Sequence, residues 1–238
     1  MFFILFTLIF FLLIPSVAFA WGPLTHIYLG SEIYYFSPLL PLWVFNLLKR
    51  YRSDYLYGNL MADIILAKNL LPLDKNSHSW EVAFNLLESA KKSSEQAFSL
   101  GYISHLAADT VAHGIYTRKK NIKHTFIELR ADSLIDRKYW VQARGIDRVI
   151  QYRNDRFLER SLDRVIFSFK TNKRIFKGVL FLSGLNKEKF GDFIDRNLLI
   201  PVTKDDIKKL HEESLVRIID VLQNGDRSAV LKKNPIAK

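Results

Sequence analysis

Three side chains on one short segment set the chemical question. Ser104-His105-Leu106-Ala107-Ala108-Asp109-Thr110-Val111-Ala112-His113 places His105, Asp109 and His113 at i, i+4 and i+8. On a helix that spacing forms one stripe, drifting slowly round the axis. The residues between are small or apolar, so the stripe lies in a helix that is otherwise buried. Buried ionisable groups in a row are costly unless something of opposite charge satisfies them, and a divalent cation does so. His124-Thr125-Phe126-Ile127-Glu128 repeats the i, i+4 pairing. Either pair alone also fits an ordinary surface ion pair or a hydrogen-bonded core histidine. Together they point to metal, because carboxylates and histidines on neighbouring helices can converge on metals inside a bundle. The chain has no cysteine, so a thiolate site, a disulfide framework and a cysteine nucleophile are excluded. His and carboxylate ligands without sulfur suit zinc in a catalytic site.

The elements that must carry these groups read as helices. Apolar residues recur at helical spacing almost throughout, and no strand-like alternation bounded by turns persists. The pattern predicts helices over 39–48, 80–91, 94–114, 123–136, 145–170 with a break near Asn154-Asp155, 187–199 and 203–223. The last has Thr203 and Asp206 at its start and Asn224-Gly225 as its stop. The tail after Gly225 is expected to fray. With 10 Gly and 7 Pro in 238 residues, a turn-rich β fold and disorder are both disfavoured. The expectation is an all-α, single multi-helix domain over 21–238 with roughly seven to nine helices. Residues 1–20 contain no charged side chain; Phe2–Ile14 is almost purely apolar, Pro15 breaks the run, and Ala18-Phe19-Ala20 precedes Trp21. This reads as a signal peptide cleaved before Trp21, the alternative being an uncleaved membrane anchor for which the apolar run is somewhat short, hence an exported protein: periplasmic, envelope-associated or secreted. The formal charge of +11 then sits on the mature part and suits an anionic membrane surface or nucleic acid.

As an ordered set these residues resemble the zinc-dependent phospholipase C family, whose fold is shared with the single-strand-specific zinc nucleases. The family pattern begins with a Trp that becomes the mature N-terminus. It continues with His, Asp, His, then His-x3-Asp with a further His, then His-x3-Glu or His-x3-Asp. The matching positions are Trp21, His26, Asp63, His78, His105, Asp109, His113, His124 and Glu128. The resemblance implies three zinc ions. One would be held by the Trp21 amine and carbonyl with His26 and Asp109. A second would be held by Asp63, His78, His105 and Asp109, with Asp109 bridging. The third would be held by His113, His124 and Glu128. Asp63 is also the candidate catalytic residue, assisting proton removal. Asp74, Asp132 and Asp136 are read as surface charges, helix caps or partners of the ligands.

The implied reaction is hydrolysis of a phosphodiester by metal-activated water, with phospholipid as the favoured substrate. The short gap from Trp21 to His26 resembles the nucleases, whereas Glu128 as the closing acid resembles the phospholipases. The disulfides that the nucleases tend to carry cannot form here, and the pattern of this sequence predicts no β-rich lipid-binding segment. The residues that recognise choline in the best-known phospholipases have no match, which leaves the head group open. Tyr51, Tyr55 and Tyr57 could serve a bilayer surface or pack in the core. Two other functions fit the same residues. One is a nuclease stacking single-stranded bases on aromatic side chains. The other is an exported zinc-binding protein without turnover.

Overall fold

The computed structural model describes residues 21–64, 76–116, 128, 130–162, 168–184 and 203–235. Among these residues the fold is all-α, with no strand. The helices are α1 (Pro23–Glu32), α2 (Leu42–Arg50), α3 (Arg52–Met61), α4 (Trp80–Glu88), α5 (Ser93–Tyr116), α6 (Arg137–Arg144), α7 (Arg148–Ser161), α8 (Phe169–Ser183) and α9 (Lys204–Asn224). Short 3-10 turns continue the chain at Ile33–Leu39, Ala62–Ile64, Gly225–Arg227 and Ala229–Lys232.

α5 is the axis of the fold. Its residues are apolar or small on nearly every side, and Ala97 to Ala112 are buried throughout. A helix apolar all round belongs in the middle of a domain, and α3, α4 and α9 pack around it. The α3–α5 crossing depends on two glycines. A Cβ at Gly58 would collide with the Phe98 carbonyl oxygen, and one at Gly101 with the Tyr55 carbonyl oxygen. The two backbones therefore touch, as only residues without a side chain permit.

Local signals account for the helix ends. Ser79, Asp136 and Asp147 cap α4, α6 and α7 through their side chains. Thr203 and Asp206 form a reciprocal capping box at the start of α9, and Gly225 stops it at φ 56°.

The structure departs from the expected spans: α1, α3, α6 and α8 lie almost wholly where no helix was predicted, and other expectations change as well. The apolar run at 39–48 is divided: Pro38 and Pro41 leave a 3-10 turn over Ile33–Leu39 before α2 begins at Leu42. α7 runs unbroken through Asn154-Asp155, because those polar residues are tertiary anchors rather than breakers. Asn154 Nδ2 donates to Asp54 Oδ1 at 2.7 Å, and the Tyr57 hydroxyl donates to Asp155 Oδ1 at 2.6 Å. The tail after Gly225 packs on the body: Val230 is buried and the Trp80 indole donates to the Lys233 carbonyl at 2.8 Å. Tyr55 and Tyr57 are core residues, so they offer nothing to a membrane. The expected helix at 187–199, residues 123–127 and 129 of that at 123–136, Asp74 and the segment 1–20 lie outside the described residues, while 128 and 130–134 are helical as expected.

Candidate metal centre

Four separate pieces of chain deliver the candidate ligands, and each piece is held by identifiable bonds. α5 contributes His105 and Asp109 one turn apart, both fully buried. The 3-10 turn after α3 contributes Asp63. His78 sits in the buried approach to α4, where its backbone N–H donates to Asn76 Oδ1 at 2.9 Å. The Tyr102 hydroxyl ties this loop to α5 by donating to the Ser77 carbonyl at 2.5 Å.

His26 comes from α1. Gly22, at the N-cap of that helix, has no side chain to cap with, and Asp132 supplies the missing acceptor. Its Oδ2 accepts from Leu24 N at 3.2 Å, and its Oδ1 accepts from Thr25 N at 2.9 Å and Thr25 Oγ1 at 2.8 Å. A carboxylate there satisfies orphan amides and complements the helix dipole. Gly22 is required beside it, since a Cβ would run into the Asp132 carboxylate.

The four pieces meet around Asp109. Oδ1 of Asp109 lies 3.2 Å from His26 Nε2, while Oδ2 lies 3.2 Å from His78 Nε2 and 3.1 Å from His105 Nε2. Asp63 Oδ1 is 3.1 Å from His78 Nε2 and 3.7 Å from His105 Nε2. His26 stacks on His105 with ring centroids 3.5 Å apart. These are contacts without hydrogen-bond alignment at the two central groups. Both ring nitrogens of His26 and both carboxylate oxygens of Asp109 are buried with no hydrogen-bond partner among the described residues.

His105 has its orientation set from behind. Its Nδ1 lies 2.8 Å from the Asn59 carbonyl, which must accept the proton there and leaves Nε2 as a lone pair turned toward the carboxylates. The Gly58–Gly101 crossing is what brings that carbonyl within reach.

The electrostatics of the cluster favour positive charge. Burial, reinforced by the nearby His105, depresses the pKa of His26. Burial would depress His105 too, but the carboxylates of Asp109 and Asp63 outweigh it and raise the value. Burial would raise the Asp109 carboxyl, yet His105 and His26 hold it well below the usual range. The cluster thus draws positive charge into a dry interior, where neutral imidazole nitrogens and carboxylates suit a divalent ion better than a proton. The trios His26/Asp63/His105 and His78/His105/Asp109 each bring one ligand atom per residue within 4.8 Å of the others. With no sulfur in the set, the donors fit zinc.

The other expected positions divide. Trp21 is fully buried, its indole N–H lying 3.1 Å from the Ala108 carbonyl and 3.2 Å from Ser214 Oγ, which fixes residue 21 beside the turn that bears Asp109. Glu128 is buried, one helical turn before Asp132. His113 belongs to α5 but its side chain, like all of His124, lies outside the described residues.

Sequence reasoning missed Asn59, whose contribution is a backbone carbonyl that no residue type announces. It also missed His211, which meets the Trp21 ring edge-on at 5.1 Å; burial lowers its pKa to about 4.

A family model described as zinc dependent phospholipase C matches residues 25–175, more than half of the chain. No curated protein and no solved structure matches it.

Proposed function

This chain belongs to the zinc-dependent phospholipase C family, and from that premise we propose that it is an exported trinuclear zinc phosphodiesterase that hydrolyses the head-group phosphodiester of phospholipids. The observation that carries the reading is the two-sided environment of Asp109. One carboxylate oxygen faces His26, the other faces His78 and His105, and both are buried without a hydrogen-bond partner among the described residues. That is the disposition a bridging carboxylate requires. When bound, zinc ions would lower the pKa of water toward neutrality and offset the negative charge that builds on phosphoryl oxygens.

The remaining work falls to the protein. His105, oriented by Asn59, and His78, fixed by its loop, would hold one side of the site. His26 and the Trp21 backbone, freed by signal-peptide cleavage, would hold the other. Asp63, between His78 and His105, is assigned as the group that assists proton removal from the attacking water. His113, His124 and Glu128 complete the third set by resemblance to the family. Residues 21–238 form the one functional domain in this reading. The apolar walls supplied by α5 exclude bulk water and strengthen each of these interactions.

The decisive experiment uses protein beginning at Trp21, loaded with zinc, and measures phosphorylated head-group release from mixed phospholipid vesicles. Release that a chelator abolishes is the expected result. Full zinc loading without release rejects the lipid reading. Cleavage of denatured DNA under the same conditions would then identify a nuclease, and no cleavage of either would identify a zinc-binding protein without turnover.

A further inference from the structure

A second region departs from the usual burial pattern, and it lies on the surface. From Ile33 to Ser53 the chain has no acidic residue and carries Lys49, Arg50 and Arg52. Within it Tyr35 is 79% exposed, Leu39 50%, Leu42 73% and Trp43 66%. α2 needs apolar residues to pack on the core, and Val44 and Leu48 meet that need, both buried. Leu42 and Trp43 are surplus to it and point outward. On the same outward face, one and two turns on, stand Asn46, Lys49 and Arg50, all exposed. The helix is therefore apolar at its tip and cationic at its base.

The tip is held rigidly. The Tyr34 hydroxyl donates to the Leu48 carbonyl at 2.9 Å, closing the 3-10 turn against α2. Leu40 N donates to the Ser37 carbonyl at 3.2 Å, and the Gln223 side chain of α9 donates to the Leu39 carbonyl. Pro38 and Pro41 fix the backbone on either side of Leu39-Leu40. Arg52 lies over the Tyr34 ring at 4.7 Å, which keeps its charge beside the wedge. A rigid cluster of two leucines, a Tyr and a Trp in water is unfavourable unless something apolar covers it.

The chemistry selects the cover. A second copy of this chain would bring the Lys49, Arg50 and Arg52 of each against one another, a like-charge repulsion. Trp and Tyr suit the boundary between acyl chains and head groups, and Lys/Arg suit lipid phosphates. Among the described residues no helix is long and apolar enough to cross a membrane, so the wedge would engage one leaflet from outside. We propose that Tyr35–Trp43, with Lys49, Arg50 and Arg52, is a docking wedge for the surface of an anionic phospholipid bilayer. Leu42 and Trp43 enter the acyl boundary and the three cations meet the phosphates. This is a claim about binding; it does not depend on lipid turnover at the metal centre.

The test uses the full mature, zinc-loaded protein with vesicles of phosphatidylglycerol and phosphatidylcholine carrying brominated acyl chains. Trp43 is the exposed tryptophan, so bromine should quench a fluorescence component that Trp43→Phe removes while binding persists. The double variant Leu42→Ser, Trp43→Ser should weaken vesicle binding by about ten-fold or more. Lys49→Gln with Arg50→Gln should abolish the preference for phosphatidylglycerol. All variants should keep the parent's zinc content and melting temperature, since these side chains are outside the core. Unaltered binding by the Ser double variant, or quenching that survives Trp43→Phe, overturns the proposal. Hydrolysis of a short-chain, monomeric phospholipid separates the two readings: vesicle binding without it leaves docking standing and rejects the phospholipase, and the reverse rejects docking alone.

Discussion

The candidate metal centre and the surface wedge are opposite exceptions to one rule. At the centre, Asp63, Asp109, His26, His78 and His105 are buried where apolar residues belong. At the wedge, Tyr35, Leu39, Leu42 and Trp43 are exposed where polar residues belong. Natural sequences tend to break local rules where function requires it. The two differ in how the cost is met. The centre is enclosed and held by bonds from four parts of the chain, so its stability and function are coupled. The wedge is anchored only through its inner face, so its outer side chains can change without disturbing the fold.

The largest effect should come from the centre. Asp109→Asn should remove more than one zinc equivalent and reduce activity more than about a hundred-fold, beyond the usual loss for an outer partner of a ligand. Metal analysis and kinetics check this; loss of a single equivalent would contradict the bridging assignment. Gly101→Ala tests the scaffold behind it. A methyl group against the Tyr55 carbonyl should separate α3 from α5, cost about 1–3 kcal/mol by urea unfolding, and weaken zinc binding as Asn59 retreats from His105.

His211 gives a pH-dependent comparison. Its pKa of about 4 lies below the ordinary 6.5, so the folded state favours the neutral ring. That contribution is complete above 6.5 and is lost as pH falls from 6.5 toward 4, to a limit of about 3 kcal/mol. In chelated protein, His211→Phe should therefore lose less stability than the parent between pH 7 and pH 4, as measured by urea unfolding at the two values. The smallest effect belongs to the wedge: Leu42→Ser should alter stability by less than about 0.5 kcal/mol, as exposed substitutions do. A larger change would mean that the outer face supports the core and that the contrast between the regions is false.

Much of this molecule was legible in its residues. Helical periodicity determined the fold class and the α5 stripe, because side chains one turn apart share a face whatever surrounds them. Thr203 with Asp206 and Gly225 marked both ends of α9, since capping is a local bond. The ordered His and Asp positions marked the family. Tertiary structure alone decided the rest. It brought His26, Asp63 and His78 to Asp109 through the α3–α5 crossing, gave His105 its orientation through a backbone carbonyl, and turned Asn154 from an apparent breaker into a partner of Asp54. It also decided that Tyr55 is core while Trp43 is surface. Periodicity tells which residues share a face; whether that face is covered depends on what packs against it, and that is set by contacts between parts of the chain far apart in sequence.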